Sequence, residues 1–492
     1  MAKILLVNPV VREEDVPRHI PYGIALLAAI AIREGHLVQV YDANAWRQGL
    51  DVLNDVYRAD KWDVIAIGGL TTTYGFIRKA CFQAKIHAPK AFLIAGGGFL
   101  TSMPQEIMEW IPQIDLGIVG EAFQTWPEVL KALDGEKYPD FSKTPGVVHR
   151  HSGVTLNPAR DLIHDLDTLP YPAWELFPLE EVYFKNSSSL FSEDAHLCQR
   201  RIDINASFGC SLVCRYCWHL GTTGDMTIQE KEGKNEVVFS YGRQIRYHSP
   251  QYIVGMVKEL KKTYNIDFAN FLDENLMTMD ASSGGTWITE ICDLWIKEGM
   301  GRGGPNQVLF AGTSHASLHR PEVLRKMYSA GCTHLVYGLE SFDPHILKNL
   351  GKGTTRQKNI DSVKICMDTG IIPIPNIIIG FPEETVESIR NTLVALIELG
   401  IHAKPHFATA YPGSEWYYTY KDSIKAQYGG DLEKYILDLG DASKITAIIS
   451  HNFSAVELLG FQQIIAQWNL RLLDNKSKVI PQSSFNFRRK RL

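Results

Sequence analysis

The sequence predicts an α/β protein in which two parallel-sheet units are followed by a mostly helical C-terminal region. The first 130 residues alternate short apolar β-rich runs with longer periodic stretches, which is typical of βαβ units on a sheet covered by helices on both faces. The alternation resumes near residue 198 for six repeats, and residues beyond Tyr417 have a mostly helical pattern. We therefore predict a doubly wound, Rossmann-like domain at 1–145, a linker at 146–197, a partial (β/α)6 TIM-type barrel at 198–415 and a helical region at 416–492.

In the first unit, the glycines follow the predicted strands. The predicted strands are residues 4–10, 37–41, 64–67, 92–95 and 116–119, with helical stretches such as 23–33 and 76–87 between them. Ligands of such sheets lie beyond the carboxyl ends of the strands. Those ends carry Gly68-Gly69, Gly96-Gly97-Gly98 and Gly120. The G-x-G-x-x-G pattern of dinucleotide sites is absent after the first strand, where Val7-Asn8-Pro9-Val10 stands.

A Pro- and Ser-rich stretch at about 139–196 separates the two units and is typical of a linker. The predicted strands of the second unit are residues 204–208, 268–272, 308–311, 334–337, 375–379 and 406–410. Its helical stretches include 250–263, 321–330, 355–369 and 385–399. In the C-terminal region, residues 454–473 are the most periodic and predict a helix.

Composition excludes several classes of protein. The 492 residues include 50 Lys and Arg against 55 Asp and Glu, so the formal net charge of -5 gives no reason to expect a nucleic acid partner. The longest apolar run, residues 22–32, is shorter than the about 20 residues that a membrane span needs. The N-terminus is typical of a first strand and not of a signal peptide, so we expect a cytoplasmic protein. Eight cysteines in so long a chain are too sparse for a disulfide scaffold.

Three cysteines form a cluster at the end of the first predicted strand of the second unit. They are Cys210, Cys214 and Cys217, in the spacing C-x3-C-x2-C. Soft thiolates select zinc, copper(I) or iron–sulfur clusters. A structural zinc site usually has four ligands, and no second Cys or His pair follows at a suitable spacing. Three thiolates leave one iron of a [4Fe–4S] cluster open, so we predict a catalytic cluster; a zinc clip or incidental cysteines are the alternatives.

This cysteine motif resembles that of the radical S-adenosylmethionine (SAM) superfamily, in which the open iron binds SAM and the reduced cluster cleaves it to a 5′-deoxyadenosyl radical. Three later segments resemble family motifs that line the SAM site, at 271–275, 338–341 and 376–382, and 411–414 resembles the turn after the sixth strand. The first lacks the family's usual glycines. The resemblance assigns SAM contacts to Asp273, Glu274, Glu340 and Ile379. Ser314 ends the third strand and is a further candidate, as is His315, for which a core position is the alternative.

Ahead of such a barrel, the first unit resembles the cobalamin-binding domain of the B12-dependent radical SAM subfamily. The resemblance assigns cobalamin contacts to the residues at the strand ends: Gly69, Thr71, Thr72, Gly96, Gly97, Gly98, Gly120 and Glu121. The alternative is a doubly wound domain whose glycines serve helix packing. The Asp-x-His-x-x-Gly motif that supplies a histidine to cobalt in many B12 enzymes is absent, because Asp15 and His19 have a different spacing. We therefore predict no histidine on the lower face of cobalt, with His19 as the alternative ligand.

The resemblance implies a C-methyltransferase that moves a methyl group from methylcobalamin to an unactivated carbon. Its cofactors would be a [4Fe–4S] cluster, SAM and cobalamin, used under anaerobic conditions. Such a reaction needs no acid or base at the reacting carbon, so we assign no catalytic side chain. The expected partners are a peptide, protein or small-molecule substrate and an electron donor such as ferredoxin or flavodoxin, with no nucleic acid and no membrane. The alternatives are an anaerobic cyclase of tetrapyrrole synthesis and a non-catalytic protein that binds cobalamin or SAM.

Overall fold

The structure is a computed structural model that describes residues 1–135, 139–151, 153–187, 191–218, 227–231, 233–238, 244–277, 283, 285–316 and 320–473. It confirms the predicted α/β class, with a doubly wound first unit and a six-stranded parallel half-barrel after it. None of the helices formed by the described residues has the length and apolar character that a membrane crossing requires.

The first unit contains a seven-stranded sheet in the order β2-β1-β3-β4-β5-β6-β7. Its strands are β1 (Lys3–Asn8), β2 (Leu37–Asp42), β3 (Val64–Gly68), β4 (Phe92–Gly96), β5 (Leu116–Ile118), β6 (Val147–His149) and β7 (Thr155–Leu156). The five predicted strands are confirmed and pair in parallel, whereas β6 and β7 add an antiparallel edge. The sheet thus continues past residue 145, where the sequence predicts a linker. Both added strands are too short to show a periodic pattern.

Helices cover both faces of this sheet. Alternate residues of each strand therefore belong to different hydrophobic cores. In β1, Ile4 and Leu6 pack with the helices at Tyr22–Arg33 and Thr125–Gly135, whereas Leu5 and Val7 face the other side. That second core is formed with helices on the opposite face of the sheet: Leu50–Arg58, Tyr74–His87, Gly98–Ser102 and Pro104–Trp110. A strand buried on both faces is a continuous apolar run, which is why the sequence pattern identified it. The short helix Ala43–Trp46 follows β2.

The second unit is a sheet of six parallel strands in the order β17-β16-β15-β14-β13-β8. Its strands and the four outside it are β8 (Arg201–Ile204), β9 (Ser207–Gly209), β10 (Thr227–Lys231), β11 (Lys234–Val238), β12 (Ile245–Tyr247), β13 (Phe268–Phe271), β14 (Leu309–Ser314), β15 (Cys332–Glu340), β16 (Ile372–Ile379) and β17 (His406–Phe407). The predicted first strand at 204–208 is wrong in its bounds. The barrel strand ends at Ile204, and Ser207–Gly209 pairs antiparallel with β12. The chain turns there because the carboxylate of Asp273 accepts hydrogen bonds from the Ala206 N–H and the Ser207 hydroxyl.

The helices around the barrel are Pro250–Tyr264, Trp287–Lys297, Pro321–Ala330, Pro344–Asn349, Arg356–Asp368 and Val386–Leu399. Several begin at a side-chain N-cap, for example at Ser249, Thr355 and Thr385. The connection between the units contains short helical turns: Leu166–Thr168, Trp174–Leu176, Leu179–Tyr183, Phe184–Asn186 and the helix Glu193–Leu197.

Within residues 416–473 the C-terminal region contains three helices and ties the two units together, while the rest of the predicted helical region, 474–492, lies outside the described residues. Its helices are Glu415–Gln427, Leu432–Asp438 and Ala455–Ala466. Trp416, Tyr417 and Tyr435 belong to the same buried cluster as Leu5 and Val7 of β1. The hydroxyl of Tyr74 donates to Glu433 over 2.5 Å, which adds a polar contact between the first unit and this region. The region therefore holds the barrel against the N-terminal sheet.

Candidate functional site

The three clustered cysteines lie on one loop, residues 210–218, between β9 and the start of the segment outside the described residues. Cys210 and Cys214 are buried and Cys217 is half-buried, and all three are free thiols. Burial raises the pKa of Cys210 to about 11 and that of Cys217 above its usual value, and the charge of Cys214 adds to both shifts. The three sulfurs therefore share one electrostatic environment, and a bound metal centre would draw off their protons.

The donor set fits an iron–sulfur cluster. In the described part of the chain, no three His, Cys, Asp or Glu side chains converge on a point where a single metal ion would sit. A [4Fe–4S] cluster is bound by thiolates, and each thiolate contacts a different iron. Its ligands therefore do not have to converge as those of a zinc ion do.

A buried network braces the cysteine loop from the barrel side. Tyr216, between the second and third cysteines, donates its hydroxyl hydrogen to Glu340 Oε1 over 2.8 Å. Lys352 Nζ lies 2.5 Å from the same oxygen and 3.1 Å from the Tyr216 hydroxyl. Glu340 and Lys352 side chains are each 6% exposed, so this is a buried ion pair. Glu340 has a φ of 60°, a strained backbone conformation for a residue other than glycine.

The turn that carries Lys352 also contacts the loop through its backbone. The Arg215 N–H donates to the Leu350 carbonyl over 3.1 Å, and His315 Nε2 lies 2.9 Å from the Lys352 carbonyl oxygen. The positive charge of Lys352 opposes the rise in pKa of Cys210 and Cys217. A cation within reach of two thiols stabilises their thiolate forms.

Of the two acidic residues predicted after the second barrel strand, only Glu274 is exposed. Its charge raises the pKa of Cys210 and Cys217, so it faces the cysteine loop. Asp273 is buried and holds the Ala206–Ser207 turn, and burial raises its pKa to about 6. Glu274 is therefore the member of the pair that can meet a ligand beside the cysteines.

Ser314 and Ile379, the remaining predicted SAM contacts, end β14 and β16. Ser314 is 3% exposed, and its Oγ has no hydrogen-bond partner among the described residues. A buried hydroxyl without a partner costs free energy unless a ligand or water satisfies it, so Ser314 fits a polar ligand. The side chain of Ile379 lies in the hydrophobic core, which leaves its backbone as the part that a ligand could contact.

In the first unit, the predicted glycines form a tight turn where β3 and β4 end. The Gly69 N–H donates to the Gly96 carbonyl over 3.3 Å. Gly97 has a φ of 90°, and a Cβ atom there would lie 2.8 Å from the Gly69 carbonyl oxygen. Only glycine permits this approach. The result is a stretch of closely packed bare backbone at the carboxyl edge of the sheet, with Gly98 at the start of the next helix.

Threonines and a further glycine border this bare backbone, and we call the whole set the glycine cradle (residues 69–72, 96–98 and 120). Thr71 is buried, and its Oγ1 has no partner within the described residues, whereas Thr72 is half-buried. The Gly120 N–H donates to Thr101 Oγ1 over 3.0 Å. An orphaned hydroxyl beside bare backbone fits the polar tail of a large cofactor such as cobalamin.

Trp218 joins the cysteine loop to the glycine cradle. Its Nε1–H donates to Ser102 Oγ over 2.7 Å, and its ring lies against Gly98, where a Cβ atom would be 1.6 Å from the indole. The ring also contacts Gly413 in the turn after β17. Trp218 is one residue beyond the third cysteine, so the two predicted cofactor sites are neighbours.

Glu121, a predicted cobalamin contact, and His19, the alternative cobalt ligand, each pair with a residue of the second unit. Both carboxylate oxygens of Glu121 contact Arg246, at 3.1 and 2.6 Å, in a pair whose side chains are 10% and 5% exposed. His19 Nδ1 lies 3.3 Å from both carboxylate oxygens of Asp203 on β8. Glu121 thus joins the first unit to the barrel, and His19 is held at the barrel rather than in the glycine cradle.

Sequence reasoning missed Lys352, Trp218 and Arg246. Lys352 stands between two glycines, Gly351 and Gly353, in the turn that follows the fourth-strand motif; this is the one local signal that it occupies a special position. Nothing in the sequence pattern pairs Arg246 with Glu121, since 125 positions separate them.

Two family models match the chain. Residues 9–130 match the B12 binding domain, and residues 204–396 match the radical SAM superfamily. An uncharacterized methyltransferase of Pyrococcus horikoshii is 27% identical over 433 residues, 86% of this chain and 84% of that protein. An anaerobic magnesium-protoporphyrin IX monomethyl ester cyclase of Synechocystis sp. is 21% identical over 430 residues, 84% of this chain and 77% of that protein.

Solved structures share the fold. The radical SAM methyltransferase TsrM from Kitasatospora setae, with its tryptophan substrate and a SAM analogue, superposes with a TM-score of 0.66 at 16% identity and covers 86% of this chain and 77% of its own. The cobalamin-dependent SAM radical enzyme OxsB, with aqua-cobalamin and SAM, gives 0.63 at 15% identity and covers 98% of this chain and 62% of its own.

Proposed function

We propose that this chain, which belongs to the cobalamin-dependent radical SAM enzymes, is a C-methyltransferase that acts on an unactivated carbon of its substrate. Its cofactors are a [4Fe–4S] cluster, SAM and cobalamin. When bound, the cluster supplies the electron that cleaves SAM to a radical, and cobalamin carries the methyl group to the substrate. We expect it to act in the cytoplasm under anaerobic conditions, with electrons from a ferredoxin or flavodoxin.

The chain's own residues divide this work. Cys210, Cys214 and Cys217 hold the cluster, and Tyr216 with Glu340 and Lys352 fixes the loop that carries them. We assign the SAM contacts to the side chains of Glu274 and Ser314, and the contact with the tail of cobalamin to the glycine cradle. No side-chain acid or base at the reacting carbon would be required for activation of the C–H bond, because that carbon would lose a hydrogen atom and not a proton.

The observation that carries this proposal is the contact of Trp218 with Gly98 and Ser102. It sets the cysteine loop directly against the glycine cradle. Methylation of an unactivated carbon would require that the SAM site and the cobalamin site both reach one substrate carbon, since holding the reacting groups together replaces an unfavourable encounter. Two sites far apart in the fold would not permit it.

The test is anaerobic reconstitution of the full chain with iron, sulfide and hydroxocobalamin, followed by mass spectrometry of the SAM products. We expect comparable amounts of S-adenosylhomocysteine and 5′-deoxyadenosine once substrate is present. SAM with a deuterated methyl group, added with cell extract fractionated into peptides and small molecules, identifies the methylated substrate by its mass shift.

Cys214→Ala should abolish SAM cleavage and reduce bound iron, whereas Cys198→Ala, a cysteine outside the loop, should leave both intact. Deoxyadenosine without S-adenosylhomocysteine would replace the methyltransferase by a cyclase-type reaction, which the cyclase of Synechocystis sp. makes the second candidate. Absence of both products from a fully loaded chain would indicate a binding protein without turnover. Cleavage that persists in Cys214→Ala would refute the radical SAM chemistry itself.

A further inference from the structure

The segment after β1, residues 9–21, runs across the open side of the half-barrel; we call it the closing loop. At one end, Arg12 Nε lies 2.9 Å from Asp441 Oδ2 and Glu14 pairs with Lys444, both in the C-terminal region beyond β17. At the other end, the Ile20 N–H donates to Asp203 Oδ2 of β8 over 2.9 Å. Because β8 and β17 are the two edges of the six-stranded sheet, the loop spans the gap between them.

The closing loop is built rigidly at its start. Arg47 donates to the backbone carbonyls of Asn44, Val11 and Arg12 over 2.7 to 3.0 Å. Arg12 and Arg47 have φ values of 55° and 53°, conformations that cost energy in residues other than glycine. Strain that the surrounding contacts hold in place is a feature of functional sites, and here it fixes the direction in which the Arg12 side chain leaves the loop.

The enclosed space is polar along β8 and β13. Asp203 is buried and accepts a hydrogen bond from Asn270 Nδ2 over 2.7 Å in addition to its contact with His19. The His19 side chain is 62% exposed although its partner is only 6% exposed. The imidazole of His19 therefore faces the space, and the carboxylate of Asp203 lies behind it.

Basic groups outnumber acidic ones around this space. Asp203 raises the pKa of His19, while Arg201 and Arg12 oppose the rise, so both guanidinium groups lie near the imidazole. Burial lowers the pKa of His406 on β17; Asp441 and Glu340 oppose that shift, and Arg12 and Lys404 add to it. Lys404 and His406 line a cavity of about 450 Å³ together with Val336 and Asn376. The three acids here, Asp203, Asp441 and Glu340, are each already paired with a basic residue.

We propose that the space between the half-barrel and the closing loop binds an anionic group of the substrate, a carboxylate or a phosphate, through Arg12 and the His19–Asp203 pair. This rests on the proposed methyltransferase function, because it takes the barrel interior as the substrate site. Guanidinium and imidazolium N–H groups are the donors that recognise carboxylate and phosphate oxygens most strongly. Arg12 has five N–H donors, and Asp441 meets the one on Nε.

The test is calorimetric titration of the cluster- and cobalamin-loaded full chain with three probes of similar shape: 3-phenylpropionate, 3-phenylpropionamide and phenyl phosphate. We expect at least one anionic probe to bind about tenfold more tightly than the amide, since a charge-assisted hydrogen bond contributes about that factor. The preferred anion tells whether the substrate carries a carboxylate or a phosphate. Arg12→Gln and His19→Gln should each reduce this preference about tenfold, and Arg12→Lys should restore part of it.

Arg325→Gln, an exposed arginine on the outer helix Pro321–Ala330, is the matched control and should bind all probes as the unaltered chain does. Cobalamin and iron content show that each variant is folded and loaded. Equal affinity for the amide and both anions, or an anion preference that survives Arg12→Gln, would overturn the proposal. Because the assay measures binding and not turnover, it can fail while the SAM products still support the methyltransferase, and the reverse also holds.

Discussion

In the N-terminal sheet the strand ends approach each other through bare backbone, whereas the elements around the cysteine loop meet through buried charged side chains. A Cβ atom at Gly97 would lie 2.8 Å from the Gly69 carbonyl oxygen. Beside the cysteines, Glu340, Lys352 and Tyr216 are joined by hydrogen bonds in a buried network. We therefore expect the glycine cradle to be disturbed by an added side-chain atom. The cysteine loop should be disturbed by the loss of one member of the buried network.

The largest effect should follow from removing one member of the buried ion pair. Lys352→Met leaves the Glu340 carboxylate buried without its cation, which costs about 3–5 kcal/mol of unfolding free energy. Bound iron should fall as well, because the cation that favours the thiolates is lost. Urea unfolding of the full chain and iron analysis measure the two effects.

The double variant Lys352→Met, Glu340→Leu is the control for this prediction. It removes the uncompensated charge and should recover most of the stability, since replacing both members of a buried pair by apolar residues is often neutral. It should not recover the iron content. A single Lys352→Met variant as stable as the unaltered chain would mean that the pair is not what holds the loop.

A smaller effect should follow from adding one methyl group to the glycine cradle. Gly97→Ala must move Gly69 as well as adopt a left-handed backbone, at a cost of about 1–3 kcal/mol. Displacing Gly69 changes the shape of the glycine cradle, so cobalamin retained after gel filtration should decrease, as measured by its visible absorbance per chain.

Gly35→Ala is a matched control, because Gly35 has a similar φ of 87° but open space where the Cβ would lie. It should lower stability by about 1 kcal/mol through backbone strain alone and keep cobalamin binding unchanged. If both variants bind cobalamin equally well, the close approach of Gly97 and Gly69 has no part in the cofactor site.

The same division, between local backbone features and distant charged pairs, separates what the sequence predicts from what it does not. The parallel strands of both sheets and the cysteine loop are predictable because each depends on neighbouring residues: buried runs such as that of β1, and a fixed cysteine spacing. The ion pairs were not, because periodicity does not tell which charge a distant charge will meet. Glu121 was assigned to cobalamin from a local motif, yet the fold brings Arg246 to it from 125 positions away. The short strands β6 and β7 were missed because three and two residues show no period.

The smallest effect concerns the contact that joins the closing loop to the barrel. Asp203 raises the pKa of His19 above 6.5. Burial of Asp203 favours its neutral form, but the charge of His19 and hydrogen bonds from His19, Asn270 and Ile20 lower its pKa below 3.8. A raised histidine pKa adds stability that is fully present below the unfolded value of 6.5 and is lost as pH rises through the folded value. A lowered aspartate pKa adds stability that is lost as pH falls through its own folded value.

The pair should therefore stabilise the chain most at pH values between the folded pKa of Asp203 and that of His19. The contribution should be less than about 1 kcal/mol, because the His19 side chain is 62% exposed. Thermal unfolding of the unaltered chain and His19→Gln, compared between pH 5 and pH 9, should show a difference in midpoint that shrinks as pH rises above 6.5. His451→Gln, an exposed histidine of the C-terminal region, should show no such trend. A difference that stays constant across this range would mean that His19 fixes the closing loop by packing and not by its charge.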